Sequence, residues 1–200
     1  MSILGTTSYR DGTFRIGDSR FDATAGDADA RLASAWAALA QDYPRFHRAD
    51  RLSRLVLLSA APFFDPSGGP LREVDPEHVG MLLLSCTGSM ESDARYCKLL
   101  RDEGVASPAL FVPTLPSIAL GELSIRHGLH GSGLCLLMPA PEAAALLPAI
   151  GMLRQQGMKW IVCGWADTFA DHARAAFVAI DAEAWSDHDI NRIQAHFDEQ

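Results

Sequence analysis

The sequence predicts an α/β protein whose mostly parallel central sheet is covered by helices on both faces. Three short, continuously apolar runs, at 78–85, 133–138 and 158–164, are typical of strands that are buried on both sides. Segments with helical periodicity lie between them, at 91–104 and 139–157. Strands and helices that alternate in this way predict parallel pairing through right-handed crossovers. Because 200 residues usually build one core, we expect a single domain over 1–200.

Two helices are predicted before the first of these strands. In the segment 27–43, apolar residues recur at helical spacing, and either Asp27 or Asp29 is placed to cap its start. The segment 50–64 is also apolar along one face and is too long for one strand. We therefore interpret both segments as helices.

The two helices between the strands carry their own boundary signals. The helix at 91–104 ends on Gly104, and the helix at 139–157 has Pro141 near its N-terminus. Pro148 falls inside the second helix, where its missing N–H and its ring cost about 3 kcal/mol. We therefore expect this helix either to kink at Pro148 or to begin later than residue 139.

A fourth strand and a last helix complete the predicted fold. The strand spans 173–181, and the helix follows Ser186, with Asp189 three positions further on to complete a capping pair. The apolar edge of this helix consists of Ile190, Ile193 and Phe197. We expect this edge to pack on the body of the domain.

The charge balance excludes two classes of partner. The formal net charge is −8, and the 17 Lys and Arg residues are scattered, whereas a nucleic-acid-binding protein needs a basic stripe. The acidic balance also disfavours an anionic membrane surface, and no apolar run is long enough to cross a bilayer. The first 20 residues do not form a secretory signal, so we expect a cytoplasmic protein. The 48% hydrophobic content predicts either an extensive core or a partner-facing surface.

Neither a metal nor a cofactor is predicted. The four cysteines are Cys86, Cys97, Cys135 and Cys163. They form no CxxC pair and no zinc-like spacing, so we interpret them as small buried thiols. His127 and His130 form an HxxH pair, but glycines interrupt the helix that such a pair needs for metal binding, and we predict a loop. The glycines at 128–133 precede a strand, whereas those of a dinucleotide-binding turn follow one.

The segment 107–140, SPALFVPTLPSIALGELSIRHGLHGSGLCLLMPA, resembles the N-terminal half of the β-ketoacyl synthases, which have the thiolase fold. The resemblance extends outward through YPRFHRADRLSRLVLLSAA (43–61) and HVGMLLLSCTGSMESD (78–93) to WIVCGWAD (160–167). It covers about residues 43–181. It implies a thiolase-like half fold.

The resemblance also implies where a catalytic cysteine would stand. Ketosynthases place this nucleophile on a turn between a buried strand and a helix N-terminus that lowers the pKa of the thiol. Counting from Gly131, that position falls on Ala140, within one residue, and its neighbours Pro139 and Pro141 are not nucleophiles either. Ser132 replaces a proline of the family, and the second half of a ketosynthase, with its two catalytic histidines and lysine, has no counterpart. We therefore expect no catalytic residue and no condensation activity.

The part of the fold that remains is the part that carries the dimer interface in this family. The resemblance implies a chain-length-factor-like subunit that pairs with an active β-ketoacyl synthase, shapes its acyl tunnel and meets acyl carrier protein only indirectly. The pathway implied is of polyketide, aryl polyene or fatty-acid type. The candidate partner and tunnel contacts are Phe111, Thr114, Leu115, Ile118, Leu120, Leu134, Leu136 and Met138.

A different class of function remains open at this point. Cys86 follows an apolar strand at a small-residue turn, and Cys163 lies in another strand. Either could serve a stand-alone enzyme that acts on acyl thioesters. A self-associating acyl-binding module is a third alternative.

Overall fold

A computed structural model describes residues 2–23 and 25–199, and its described part is built around one seven-stranded sheet. The strands are β1 (Ile3–Arg10), β2 (Thr13–Ile16), β3 (Ser19–Asp22), β4 (Val79–Ser85), β5 (Gly133–Leu137), β6 (Trp160–Phe169) and β7 (His172–Asp181). Their order across the sheet is β3-β2-β1-β7-β6-β4-β5. β5 is therefore an edge strand, next to the fully buried β4.

The sheet is mixed, which corrects the expectation of mostly parallel pairing. Only β4 pairs in parallel with its neighbours, β5 and β6, whereas the other four pairings are antiparallel. The reason is the length of the connections. Ala170 and Asp171 alone join β6 to β7, and such a short turn reverses the chain. Parallel strands need a crossover, which the helices on either side of β5 provide.

The first three strands, over residues 3–22, were not among the predicted elements. Asp11 and Gly12 join β1 to β2, and both have positive φ, 47° and 108°. An Asp-Gly pair between alternating residues is a strong hairpin signal, because its backbone matches the twist of the flanking strands. Gly17 and Asp18 form the second short turn. These two turns could have identified the hairpins from the sequence.

Seven helices surround the sheet within the described residues. They are α1 (Ala28–Ala38), α2 (Arg51–Ala60), α3 (Met90–Glu103), α4 (Pro108–Phe111), α5 (Ile118–His127), α6 (Leu146–Gln155) and α7 (Asp189–Asp198). Short 3₁₀ turns occupy Phe46–Arg48, Ala61–Phe64, Pro76–His78, Val112–Thr114 and Ala143–Ala145. The two N-terminal helices are thus shorter than predicted.

Capping side chains explain several of these boundaries. Asp27 accepts a hydrogen bond from the backbone N–H of Ala30, and Asp50 accepts one from Ser53, so that both carboxylates satisfy free N–H groups at a helix start. Gly104 ends α3 in the left-handed conformation, with φ of 68°. Asp189 accepts from both the N–H and the hydroxyl of Ser186, but α7 begins at Asp189 itself and its N-cap residue is His188. The two residues therefore pair as expected, whereas Ser186 lies too far before the helix to cap it.

The helices cover both faces of the sheet, as predicted. On one face α1, α2 and α5 enclose an apolar core with alternate residues of β4, β6 and β7. On the other face α6 and α7 enclose a second core with the intervening residues of the same strands. No single helix of the described residues is long and apolar enough to cross a membrane, although the bent pair 108–114 and 118–127 passes that test together, by length and composition alone.

The structure decides between the two possibilities for Pro148. α6 begins at Leu146, seven residues later than the predicted start at 139. Pro148 therefore lies in the first helical turn, where its missing N–H would have no intrahelical partner. No kink is needed.

Candidate functional site

The junction between β5 and α6 is the position at which the resemblance to β-ketoacyl synthases implies a nucleophile. Ala140 is half-buried there, in a non-helical segment that connects Met138 to the 3₁₀ turn Ala143–Ala145. The first full helical turn begins only at Leu146. Ala140 is therefore not adjacent to an α-helix N-terminus, whose dipole would stabilise an anion.

A side chain of α7 holds this junction in place. The Oε1 atom of Gln194 accepts a hydrogen bond from the backbone N–H of Ala143 at 2.7 Å, and its Nε2 atom donates to the carbonyl oxygen of Pro141 at 3.4 Å. Nε2 also donates to Asp198 at 2.7 Å. One backbone donor that a helix start could offer to an oxyanion is thus already occupied.

The turn after β4 is organised by one carboxylate. The Oδ1 atom of Asp167, on β6, accepts hydrogen bonds from the Ser85 hydroxyl, from the backbone N–H groups of Cys86 and Thr87, and from the Thr87 hydroxyl, at 2.7 to 3.0 Å. Ser85 in turn accepts from the N–H of Gly88. Asp167 therefore has a structural role at this strand end.

Three of the cysteine thiols have raised pKa values. Burial, together with the nearby Asp167 carboxylate, raises the pKa of Cys86 to about 12 although its side chain is partly exposed. Burial alone raises the pKa of Cys163 to about 12 and that of Cys135 to about 11. Because the thiolate is the nucleophilic form, these environments oppose a thiol enzyme that uses Cys86 or Cys163. The expectation of buried thiols is wrong for Cys86 and Cys97, which are exposed.

The histidine pair is split between a helix and a loop. His127 is the last residue of α5, which corrects the prediction of a loop at that position, and His130 lies beyond the left-handed Gly128. The His127 ring stacks on Phe64 at 4.3 Å between centroids. Burial, and then the charge of Arg126, lowers the pKa of His127 to about 3. No group of three or more potential metal ligands occurs among the residues that the structure describes.

The edge strand β5 and the segment before α5 expose apolar side chains. Leu137 at the end of β5 is 64% exposed, and Leu115, next to the 3₁₀ turn Val112–Thr114, is 55% exposed. A Cβ atom on Gly88 would lie 3.0 Å from Leu137 and 3.2 Å from Pro116, so these segments are close neighbours. The exposed Leu137 and Leu115 therefore belong to two chain segments that lie close together.

Helix α3 adds to the same exposed region. Cys97 and Leu100 recur on it at helical spacing, yet no residue of α3 is buried in the described chain. α3 packs mainly against α4 and the turn that follows it, where the rings of Tyr96 and Phe111 lie 5.5 Å apart. We define the β5 surface as Met90, Leu100, Phe111, Val112, Leu115 and Leu137, all of them exposed.

The predicted contact residues fall into three groups. Phe111 and Leu115 lie on the β5 surface. Thr114, Ile118, Leu134, Leu136 and Met138 are half-buried, the last three packing against the core under α6. Leu120 is only 5% exposed and packs in the core under α5, so it is not available to a partner. Sequence reasoning missed Leu137, because a run of leucines does not indicate which one an edge strand leaves uncovered.

Three solved structures resemble this arrangement throughout. The ishigamide ketosynthase/chain length factor is matched with a TM-score of 0.63 at 18% sequence identity, over 92% of this chain and 63% of that chain. The ketosynthase ApeO in complex with its chain length factor ApeC, from Xenorhabdus doucetiae, is matched with a TM-score of 0.59 at 13% identity, over 90% and 79% of the two chains. This chain has the thiolase-like fold of ketosynthases and chain length factors.

A third match has an acyl carrier protein in the same assembly. AntDE:AntF, described as a type II PKS acyl-carrier protein in complex with its ketosynthase bound to the hexaketide, is matched with a TM-score of 0.59 at 14% identity, over 96% of this chain and 64% of that chain. The thiolase-like chain spans under two thirds of the matched chain in this structure and in the ishigamide protein. No family model matches the sequence, and no curated protein matches it.

Proposed function

We propose that this chain is a non-catalytic, ketosynthase-like subunit that pairs through the β5 surface with an active β-ketoacyl synthase. In this role it resembles a chain length factor of a cytoplasmic polyketide, aryl polyene or fatty-acid-type system. The observation that carries the proposal is the uncovered apolar region formed by the edge strand β5, α3 and α4.

The chemistry of this surface favours a protein partner. The outer edge of β5 has no neighbouring strand in the described sheet, so its backbone N–H and C=O groups are free to pair with another strand. The apolar side chains around it, Leu137 and Leu115 among them, lose contact with water when a partner covers them. A strand edge flanked by apolar residues is a favourable surface for a second sheet.

The junction at Ala140 supports the absence of catalysis. It offers no nucleophile, and the Ala143 N–H is occupied by Gln194. Together with the raised pKa values of Cys86 and Cys163, this geometry favours a binding role over a thiol enzyme.

We also assign a tunnel role to Phe111 and Leu115, which their exposure supports. Both side chains project from the β5 surface, where a bound ketosynthase would contact them. They then form part of the wall that limits how far an acyl chain extends. Acyl carrier protein, which is bound to a ketosynthase in one structural neighbour, meets the active subunit in this proposal.

The test is co-expression with a ketosynthase from the same organism, followed by native mass measurement of the purified complex. We expect one copy of this chain for each ketosynthase subunit, in a heterodimer or a pair of heterodimers. A chain that stays monomeric beside that ketosynthase at micromolar concentration contradicts the proposal. Activity of the isolated chain on malonyl and acyl thioesters would also contradict it.

A further inference from the structure

A cleft of about 480 Å³, whose lining includes no residue of the β5 surface, lies between the end of the β6–β7 hairpin and the C-terminal part of α7. Pro141, Trp165, Phe169 and Phe197 supply its apolar walls. The Trp165 and Phe197 rings pack edge to face, with their centroids 6.5 Å apart and their planes at 84°. The size and the aromatic walls suit a small organic group.

Two hydrogen-bond donors beside this cleft lack acceptors. Trp165 is only 5% exposed, and its indole Nε1–H has no partner among the residues that the structure describes. The Nε–H of Arg174 is likewise buried and makes no hydrogen bond among the described residues, although its nitrogen forms an ion pair with the Oδ2 atom of Asp11 at 3.5 Å. A buried donor without an acceptor costs about 1–3 kcal/mol. An occupant that supplies a carbonyl oxygen would recover that cost.

The charges around the cleft disfavour an anionic occupant. Asp167 and Asp198 line it, and Asp11 contacts both His172 and Arg174, so that three carboxylates accompany one guanidinium and one imidazole. The hydroxyl and backbone N–H groups of Ser85, Cys86 and Thr87 that bond to Asp167 all bond to its Oδ1 atom, and none of these four bonds uses Oδ2. A carboxylate oxygen suits a neutral N–H donor. The cleft therefore offers donors for a carbonyl and an acceptor for an N–H.

We propose that this cleft binds an uncharged secondary amide carried on an apolar chain. The carbonyl oxygen accepts from Trp165 and Arg174, and the amide N–H donates to Asp167. The apolar chain packs on Phe169 and Phe197. This binding does not depend on the pairing through the β5 surface.

The test is a titration of the ¹⁵N-labelled chain with N-butylhexanamide, followed by the indole N–H resonance of Trp165. We expect that resonance to move downfield as its proton enters a hydrogen bond. Hexanoate, which has a similar acyl chain and a negative charge, should leave the resonance unmoved at the same concentration. Equal shifts with both probes, or no shift with the amide up to its solubility limit, would overturn the proposal.

Variants distinguish a loss of amide binding in the cleft from a general effect on folding. Trp165→Phe and Arg174→Gln should each weaken amide binding about tenfold, the loss of one hydrogen bond to a buried donor. Trp185→Phe and Arg154→Gln change the same residue types outside the cleft and should leave the affinity unchanged. If Trp165→Phe fails to fold, Arg174→Gln at the half-exposed position decides the outcome. Unchanged affinity in Arg174→Gln contradicts the assignment.

A second titration identifies the source of the amide. N-acetyl-leucine N-methylamide presents the same group as part of a peptide backbone. Tighter binding of this probe assigns the cleft to a peptide segment, and tighter binding of N-butylhexanamide assigns it to an acyl amide. Either result supports the amide site.

Discussion

Gln194 on α7 accepts a hydrogen bond from the backbone N–H of Ala143 at 2.7 Å, and this contact ties the last helix to the segment after β5. A nucleophile at this junction would need free donors close to it, because they stabilise the thiolate and the oxyanion. Here the donor is taken, and α6 begins only at Leu146. The occupied N–H donor and the late start of α6 are thus consistent with the absence of a nucleophile at Ala140.

Restoring a cysteine at this junction should not restore a reactive thiol. In Ala140→Cys we expect the pKa of the new thiol to stay at or above the ordinary value of about 8.5, since no helix N-terminus lies next to it. The pH dependence of iodoacetamide labelling, followed by peptide mapping, measures this value. Ala140→Ser provides the unlabelled control. A thiol pKa well below neutrality would contradict the structural account of the junction.

Charged substitutions on the β5 surface should weaken pairing with the ketosynthase. Leu137→Asp and Leu115→Asp each place a carboxylate where an apolar side chain would be desolvated, and we expect the affinity to fall by at least tenfold. Size-exclusion chromatography with mass detection measures the effect. Met152→Asp, at an exposed apolar residue of α6, is the matched control and should pair normally. Loss of pairing in all three variants would point to a general defect in solubility.

Shortening side chains on the same surface should change the product. Phe111→Ala and Leu115→Ala remove wall atoms from the proposed tunnel, so we expect the complex to make longer acyl chains. Mass spectrometry of the released products measures the chain length, with Met152→Ala as the control. If both variants pair normally and their products are as long as those of the complex with the unchanged chain, the tunnel role is wrong.

Removing the carboxylate of Asp167 should destabilise the chain by roughly 2–3 kcal/mol, because it leaves the donors of Ser85, Cys86 and Thr87 without their acceptor. Asp167→Ala unfolds at lower urea concentration than the unchanged chain, and equilibrium urea denaturation measures the difference. Asp167→Asn keeps a carbonyl acceptor and should lose less. If Asp167→Ala is as stable as the unchanged chain, the structural role assigned to Asp167 is wrong.

His127 should make the chain less stable in mild acid. Its folded pKa of about 3 lies below the unfolded value of about 6.5, so the unfolded chain binds more protons between these two values. The free energy of unfolding therefore decreases as the pH falls through this window. His127→Gln should reduce that dependence in urea denaturation series, whereas His130→Gln, at an exposed position, should retain it. Identical pH profiles of His127→Gln and the unchanged chain would contradict the effect of burial.

Much of the fold could be predicted because its signals are local. The apolar run that forms β4, the caps at Asp27 and Asp50, and Gly104 at the end of α3 all act within a few residues of their own positions. The antiparallel β6–β7 pair was not predicted, since an apolar strand has the same composition in either orientation. The Asp-Gly turn before β2, in contrast, is a local pattern from which the β1–β2 hairpin could have been predicted.

The sequence by itself determined the α/β class and the helices on both faces, because residue type and local periodicity decide these features. The resemblance to β-ketoacyl synthases implied a junction without a nucleophile at Ala140. Only the tertiary structure decided which apolar residues remain uncovered. Leu120 and Leu137 are the same residue type, yet one lies in the core and the other on an open edge strand. The link from Gln194 to Ala143 also joins residues 51 positions apart. Burial and long-range hydrogen bonds depend on which elements pack together, and the local sequence does not determine that packing.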